Sequence, residues 1–341
     1  MHSLNLSFYQ VNVQVESGDG KIIEELRRDF SFFSKNGKKE DHHVDLVIHA
    51  HLSAPSYDNL PPMQASYISP KKSCYYSNGL KYVDYAGKAL VIYSKKKSTC
   101  DIYTDNFQLL HDICYMVILA LASEQLDKLG IHRVHALALA SNNNAFLILL
   151  DRGGGKSTLA VQVLNSNHHL KLISEDSPLI DSRGSILPFP LRFALFPDDI
   201  PPSISPTYLR SFMGEGLDPK ALIDIDCFTD HIQTSALKPS IVMIGRRVVG
   251  KKAEIRASSK YQALKAFIKN SVVGVGLNQG IEFIFEKGPQ EVFRKIPLAV
   301  SRLKNSWKVI HRCQIFEFLL SPDKEKNTQV LIDFVSLHLR E

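Results

Sequence analysis

The sequence predicts a mixed α/β (α+β) protein with a β-rich N-terminal region, residues 1–105, and a larger α/β domain, residues 106–341. Three observations support this prediction. Several segments of the N-terminal region alternate between apolar and polar residues. Residues 106–129 have apolar residues at the three- and four-residue spacing of a buried helix. After residue 130, apolar strand-like segments alternate with segments of helical pattern.

The composition is that of an ordinary globular protein. The chain has 341 residues, of which 44% are hydrophobic and 22% are charged. These values exclude a largely disordered chain, and the length suffices for a sizeable core. No stretch approaches 18 consecutive apolar residues, and the first residues lack the basic and apolar regions of a secretory signal. We therefore expect a cytoplasmic protein without a membrane-spanning helix.

The cysteines and the net charge exclude several classes of protein. The five cysteines are far apart and include no Cys-x-x-Cys pair, which argues against a structural zinc site or a disulfide framework. Reduced thiols are the simplest interpretation. The net charge of +6 is mild. It permits an acidic or phosphorylated partner but does not indicate a nucleic-acid partner.

The N-terminal region is predicted to be a mostly antiparallel sheet. Alternation predicts strands within LNLSFYQVNVQVE and over residues 44–52. The segment KYVDYAGKALVIYS predicts two strands around a turn at residues 86–88, and prolines mark loops between the strands. The predicted helix over 106–129 follows, and Gly130 ends it.

The larger domain begins with a predicted hairpin, whose strands cover residues 135–140 and 145–150. A glycine-rich loop, a helix over STLAVQVLNS and a strand over 170–176 come next, before a proline-rich stretch at about 187–206. The last hundred residues predict strands over SIVMIG, IEFIFE and CQIFEFLL, and helices near 259–270 and 326–339.

The segment between the predicted hairpin and helix has the features of a phosphate-binding loop. Glycines let backbone N–H groups approach phosphate oxygens, and the following helix directs its positive end at the same anion. The lysine of such a loop reaches the β- and γ-phosphates, and the next hydroxyl ligates Mg²⁺. The candidate nucleotide-binding residues are Gly153, Gly154, Gly155, Lys156, Ser157 and Thr158. The full motif would place glycine at position 150, where this chain has Leu150; the alternative is a glycine-rich turn without a ligand.

Two carboxylates end the predicted strand over 170–176. Glu175 and Asp176 stand at its end, where one carboxylate can hold Mg²⁺ and the other can accept a proton from an attacking hydroxyl. The alternative is a solvated Glu-Asp-Ser-Pro turn. His135 opens the first hairpin strand and can hydrogen-bond to the base carboxylate, although a lone histidine is more often structural.

The order of these segments resembles the HPr kinase/phosphorylase-related kinases, whose nucleotide core is shared with the phosphoenolpyruvate carboxykinases. The resemblance rests on His135-Ala136, on the GKSTLA segment, on Ser174-Glu175-Asp176 and on the PFPLR segment that ends at Arg192. It covers residues 130–200 well and the C-terminal region loosely. It implies a P-loop kinase core in which Lys156 and Ser157 bind nucleotide and metal.

The resemblance also assigns the remaining site residues. Asp176 matches the metal-side aspartate, and Glu175 stands where the family has the aspartate that acts as base. His135 matches the histidine that supports this base. Arg192 matches an arginine that holds the transferring phosphate. Glu175 keeps the carboxylate but has one more methylene group than aspartate, and such differences in geometry matter to catalysis.

We therefore expect a kinase that transfers the γ-phosphoryl group of ATP, with Mg²⁺, to a Ser/Thr-type hydroxyl of a protein, peptide or small molecule. The family includes enzymes that modify ribosomally made peptides such as lasso peptides, and related kinases are often homo-oligomers. Two alternatives stay open. Leu150 and Glu175 favour a nucleotide-binding module that has lost catalysis, and a P-loop ATPase switch would use the nucleotide without an acceptor.

Overall fold

The computed structural model describes residues 1–34, 43–166, 169–212, 219–272 and 288–338. These residues form a mixed α/β structure with several sheets, which confirms the predicted class. The chain divides into two compact units, of which the first contains Met1–Leu126. The second consists of Asp127–Phe212, Pro219–Asn278 and Lys295–Glu341. The units therefore divide after residue 126, whereas the sequence predicts a division after residue 105.

The first unit is built on one sheet. Its strands are β1 His2–Phe8, β2 Val11–Ser17, β3 Leu46–Leu52, β4 Ala65–Ile68, β5 Ser73–Ser77, β6 Leu80–Asp84, β7 Leu90–Ser94 and β8 Thr99–Thr104. Their order in the sheet is β1-β2-β3-β8-β7-β6-β5-β4. Neighbours are antiparallel except at β2/β3 and β3/β8. This confirms the mostly antiparallel sheet.

Two helices, α1 Gly20–Asp29 and α2 Phe107–Lys128, belong largely to the first unit. The Phe30 ring lies edge-on to Phe8, at a centroid distance of 5.8 Å, and stacks on Tyr115 of α2 at 5.1 Å. A buried contact also joins the helices, because His111 Nε2 lies 2.7 Å from Asp29 Oδ2. These contacts connect β1, α1 and α2 in one core.

Helix α2 confirms the helix predicted over 106–129. It is long and apolar enough to cross a membrane, with a mean hydropathy of 1.4 over 18 residues, although no 18 consecutive residues are apolar. A helix that is apolar on all sides can lie in a protein core instead. Within the protein, 61% of that window is buried, as in a core helix.

Two helices are absent from the sequence prediction. Helix α1 lies in the region predicted to be β-rich, for which no helix was predicted, and it buries Ile22, Ile23 and Leu26 on one face. Helix α5, Gly288–Arg312, was not predicted because Pro297 lies inside it and proline normally interrupts helices. The predicted strand IEFIFE, at 281–286, lies outside the described residues.

The second unit contains twelve further strands and four helices among its described residues. The strands are β9 His132–Arg133, β10 Leu137–Ser141, β11 Asn144–Leu149, β12 Lys171–Ser174, β13 Leu179–Ile180, β14 Ile186–Leu187, β15 Phe193–Leu195, β16 Leu209–Phe212, β17 Lys220–Ile223, β18 Lys238–Arg247, β19 Glu254–Ala257 and β20 Gln314–Leu320. The helices are α3 Lys156–Asn165, α4 Lys260–Phe267, the larger part of α5 from Lys295 onward, and α6 Lys324–His338.

A six-stranded sheet of order β12-β10-β11-β18-β20-β19 forms the centre of the second unit. Strand β10 is antiparallel to both of its neighbours, which confirms the predicted hairpin. Strands β11, β18 and β20 are parallel to one another. Helices α3 and α6 are in contact, and Thr328 Oγ1 donates to Gln162 Oε1 at 2.7 Å. Two three-stranded sheets, β14-β13-β9 and β15-β17-β16, complete the described part of the unit.

Candidate functional site

The sheet topology brings the candidate residues to one edge. Strands β11, β12 and β18 run in the same direction, so their carboxyl ends meet, and antiparallel β10 begins at the same edge. The glycine-rich loop follows β11, the acidic pair follows β12, and His135 precedes β10. Ligands of α/β sheets bind at such an edge. The predicted strand over 135–140 begins two residues later than expected, and His135 lies in the bend before it.

The glycine-rich loop has the backbone of an anion-binding turn. Gly153 and Gly155 have φ of +74° and +93°, values that favour glycine. A Cβ atom on Gly154 would lie 2.8 Å from Asp151 O. Gly155 caps α3 without a side chain, and the first helical hydrogen bond runs from Leu159 N to Gly155 O. The N–H groups of the first turn therefore have no acceptor within the helix and can bind an anion.

Lys156 lies at the centre of the site and is buried, with 5% of the residue exposed. Its Nζ donates to the carbonyl oxygens of Leu150 and Asp151, at 3.0 and 3.4 Å. It also lies 2.8 Å from His135 Nε2 and 3.5 Å from Asp176 Oδ1. The ammonium group is thus held under the loop, beside a histidine and a carboxylate.

His135 is placed by its backbone as well as by its ring. Its N–H donates to Asn270 O at 2.9 Å. Its Nδ1 lies 3.1 Å from Asp176 Oδ1. The carboxylate beside the histidine is therefore Asp176, whereas the family resemblance pairs His135 with the base position, which Glu175 occupies.

Glu175 contacts a different part of the loop. Ser157 Oγ donates a hydrogen bond to Glu175 Oε1. Burial first, and then the charge of Asp176, raise the pKa of the Glu175 carboxyl to about 7. Burial also acts to raise the pKa of Asp176, but His135, Lys156 and Arg133 together hold that pKa below its ordinary value. Glu175 thus accepts a hydrogen bond from the Ser157 hydroxyl, whereas Asp176 lies beside His135 and Lys156.

The other two sequence candidates are Thr158 and Arg192. Thr158 Oγ1 donates to Asp199 Oδ2 at 3.3 Å, so this hydroxyl has a structural partner. Arg192 is buried, and it follows a segment that runs beside β12, because Phe189 N donates to Ile173 O at 2.9 Å. The assignment of Arg192 to the transferring phosphate stays a prediction.

Leu150 fits the loop although the full motif has glycine there. Leu150 is not among the residues with positive φ, so its backbone does not require glycine. Its side chain is buried between Gly154 and Gly245 of β18. A Cβ atom on Gly245 would lie 2.5 Å from Leu150 Cγ. The glycine on the neighbouring strand therefore leaves the space that Leu150 fills.

We expect Gly245→Ala to lower the free energy of unfolding by about 1–3 kcal/mol, because overpacking a filled core has costs of this size. In a Leu150→Ala background the same substitution should cost much less, because the overlapping side chain is gone. Chemical denaturation of the four variants measures both costs. Gly18→Ala is the control, since no atom lies within 4 Å of its added Cβ. Equal costs of Gly245→Ala in both backgrounds would show that Leu150 and Gly245 are not coupled.

Two basic residues at this edge were not predicted from the sequence. Arg247 ends β18, and its Nε donates to Gly154 O at 3.2 Å. Lys269 Nζ lies 2.6 Å from Asp151 Oδ1. Both come from segments far from the loop in the sequence, and no local motif marks them. Only the parallel pairing of β11 with β18 would have indicated Arg247.

The chemistry of the site suits Mg²⁺ bound together with phosphate. Among the described residues, no group of three or more His, Cys, Asp or Glu side chains is arranged to hold a metal by itself. Mg²⁺ does not require such a cage, because it uses one or two carboxylates, substrate phosphates and water. Ser157, Glu175 and Asp176 supply a hydroxyl and two carboxylates next to the loop.

Comparison with known proteins does not assign the chain to a family. No model of a known protein family matches the sequence, and no curated protein matches it. The functional assignment therefore depends on the geometry of the site and on the resemblance of its motifs.

Proposed function

We propose that the protein is an ATP-dependent phosphotransferase with a P-loop kinase core related to that of HPr kinase. The observation that carries the proposal is the convergence on Lys156 of the phosphate loop, the carboxylate of Asp176 and His135. A chance glycine-rich turn explains the loop but not the buried lysine beside a histidine and a carboxylate. The acceptor is a Ser/Thr-type hydroxyl of a protein, peptide or small molecule.

In this proposal the loop N–H groups and Lys156 bind the phosphates, and Ser157 with an adjacent carboxylate holds Mg²⁺. Mg²⁺ held there would supply positive charge that neutralises the phosphates. The acceptor oxygen forms a bond to the terminal phosphorus while the bond to the leaving diphosphate breaks. A carboxylate takes the proton of the acceptor hydroxyl, so that ADP and the phosphorylated acceptor are the products.

The contacts favour a division of labour between the carboxylates that reverses the sequence prediction. Glu175 accepts a hydrogen bond from Ser157, the expected metal ligand, and therefore lies on the metal side. Asp176 lies beside Lys156 and His135, at the end of the site where the transferred group is expected. We propose Asp176 as the base and Glu175 as a metal ligand. The sequence prediction, with Glu175 as base and Asp176 on the metal, is the alternative.

The test combines binding with transfer. The protein is incubated with γ-labelled ATP and Mg²⁺, with the products of neighbouring genes as acceptors, and mass spectrometry detects added phosphate. We expect Lys156→Ala to abolish transfer and to weaken MgATP binding at least tenfold, because it removes the charge that contacts the β- and γ-phosphates. The matched control is Lys304→Ala, an exposed lysine of α5. Wild-type ATP affinity in Lys156→Ala would contradict the loop assignment.

The same experiment separates the alternatives. MgATP binding without transfer to any acceptor or to water would select the inactive nucleotide-binding module. Hydrolysis without transfer would select the ATPase switch. We further propose that the protein acts in the cytoplasm, without nucleic acid or a membrane as a partner, and that it self-associates as related kinases do.

A further inference from the structure

The segment Ile268–Val272 places a lysine at the phosphate loop. This segment is a π-helical turn that continues α4. π-Helical turns are rare in proteins, and those that occur are frequently found at functional sites. Lys269 Nζ reaches Asp151 Oδ1, across the loop, at 2.6 Å. The two residues are far apart in the sequence, and their contact joins a cation to the residue at the start of the loop.

The backbone of the segment is fixed on two sides. Asn270 O accepts a hydrogen bond from His135 N at 2.9 Å, and Asn270 Nδ2 donates to Ala266 O at 2.9 Å. Arg302 Nη1 donates to the carbonyl oxygen of Ser271 at 3.3 Å. The backbone that directly follows Lys269 is therefore held in place. The Lys269 side chain is the part that can move, on a flexible four-carbon stem.

A bound anion can replace the Asp151 carboxylate as the partner of Lys269. The side chains of Lys269 and Asp151 are 48% and 67% exposed. Exposed pairs of this kind contribute about 0–1 kcal/mol, so little is lost when the pair separates. A polyphosphate bound at the loop would bring several negative charges to the same place, where the single carboxylate of Asp151 now stands.

The position of Asp151 indicates which phosphate Lys269 would meet. Lys156 Nζ donates to Asp151 O at 3.4 Å, so Asp151 lies at the lysine end of the loop. The lysine of a phosphate loop contacts the β- and γ-phosphates. His135 and Asp176 lie at the same end, next to Lys156. Lys269 is therefore near the place of the terminal phosphoryl group, away from the α-phosphate.

We propose that Lys269 is a specificity-determining residue that exchanges Asp151 for the terminal phosphate of the bound nucleotide. Asp151 is then an internal competitor, which occupies Lys269 when the loop is empty. This inference rests on the proposed nucleotide function. It adds a residue that distinguishes a nucleoside triphosphate from the diphosphate product. It also predicts that substitutions of Lys269 and of Asp151 change the MgATP affinity in opposite directions.

The test measures MgATP and MgADP dissociation constants by calorimetry for a double-mutant cycle. Lys269→Gln should weaken MgATP binding about fivefold, the upper range for an exposed charge contact, and MgADP binding less than twofold. Asp151→Asn should strengthen MgATP binding about two- to fivefold. Its effect should be at least halved in the Lys269→Gln background, because the competition has been removed. Lys265→Gln is the matched control: this lysine is exposed on α4 and stacks over Tyr261 at 4.4 Å.

The outcomes distinguish this inference from the proposed function. If Lys156→Ala loses MgATP binding while Lys269→Gln binds like wild type, the function stands and the role of Lys269 is wrong. If Asp151→Asn has the same effect in both backgrounds, Asp151 acts on phosphate by itself and the exchange is wrong. If Lys156→Ala also binds MgATP like wild type, the proposed function is wrong, and the role of Lys269 that rests on it is wrong too. Circular dichroism checks that each variant is folded.

Discussion

Asp176→Asn should lower the rate of phosphoryl transfer about 10²–10⁴-fold, the usual contribution of a general base. MgATP affinity should remain at or above the wild-type value. The substitution removes a negative charge 3.5 Å from Lys156 Nζ, so the lysine becomes a better partner for phosphate. Single-turnover transfer of labelled phosphate, to the acceptor or to water, measures the rate, and calorimetry measures the affinity.

Glu175→Gln is the matched comparison, because it is the neighbouring carboxylate and it also becomes an amide. We expect it to raise the Mg²⁺ concentration needed for half-maximal activity, because it weakens one of the two proposed metal ligands, Ser157 and Glu175. Saturating Mg²⁺ should restore much of the rate. If Glu175→Gln instead loses the rate at saturating Mg²⁺, while Asp176→Asn loses metal affinity, the division of labour predicted from the sequence is the correct one.

The pKa shifts of the two carboxyl groups do not decide between these assignments. Burial, followed by the charge of Asp176, raises the pKa of Glu175 to about 7, which by itself suits a base. A divalent cation next to Glu175 would favour its carboxylate form and lower that pKa again. The hydrogen bond from Ser157 and the position of Asp176 beside His135 are therefore the stronger arguments.

The sequence predicted the site where local pattern and chemistry agree. A strand, three glycines, Lys-Ser-Thr and a helix follow one another, so Lys156 and Ser157 are candidate site residues without knowledge of the fold. The structure adds what depends on pairing between strands. Because β10 lies between β11 and β12, the loop and the acidic pair reach the same edge. Which carboxylate contacts His135 depends on side-chain geometry, which the sequence does not contain.

The residues that were missed are connected to the site only through tertiary structure. Arg247 arrives on β18 and Lys269 on the turn after α4, and neither has a neighbouring residue in the sequence that marks it. The missed helix α1 did have a local signal. Asp19 accepts a hydrogen bond from Lys21 N as its N-cap, and Ile22, Ile23 and Leu26 have helical spacing. The alternating strands on its N-terminal side obscured this short pattern.

Helix α1 also provides the largest expected change in stability. Asp29 and His111 are 0% and 2% exposed, and the Asp29 Oδ2 to His111 Nε2 distance is 2.7 Å. Removing one partner of a buried pair that carries charge costs about 3–5 kcal/mol. Asp29→Ala should therefore lower the free energy of unfolding by this amount. Asp19→Ala, at the N-cap of the same helix, should cost only about 1 kcal/mol.

Urea denaturation of the full chain, followed by circular dichroism, measures both costs. Folded proteins have only about 5–15 kcal/mol of stability, so Asp29→Ala removes a large share and can fail to fold. Asp29→Asn keeps a hydrogen-bonding oxygen beside His111, and we expect it to fold with a smaller loss than Asp29→Ala. If Asp29→Ala costs no more than Asp19→Ala, the His111 contact does not hold α1 on α2. In that case the aromatic contacts of Phe30, with Phe8 and Tyr115, account for the attachment of the helix.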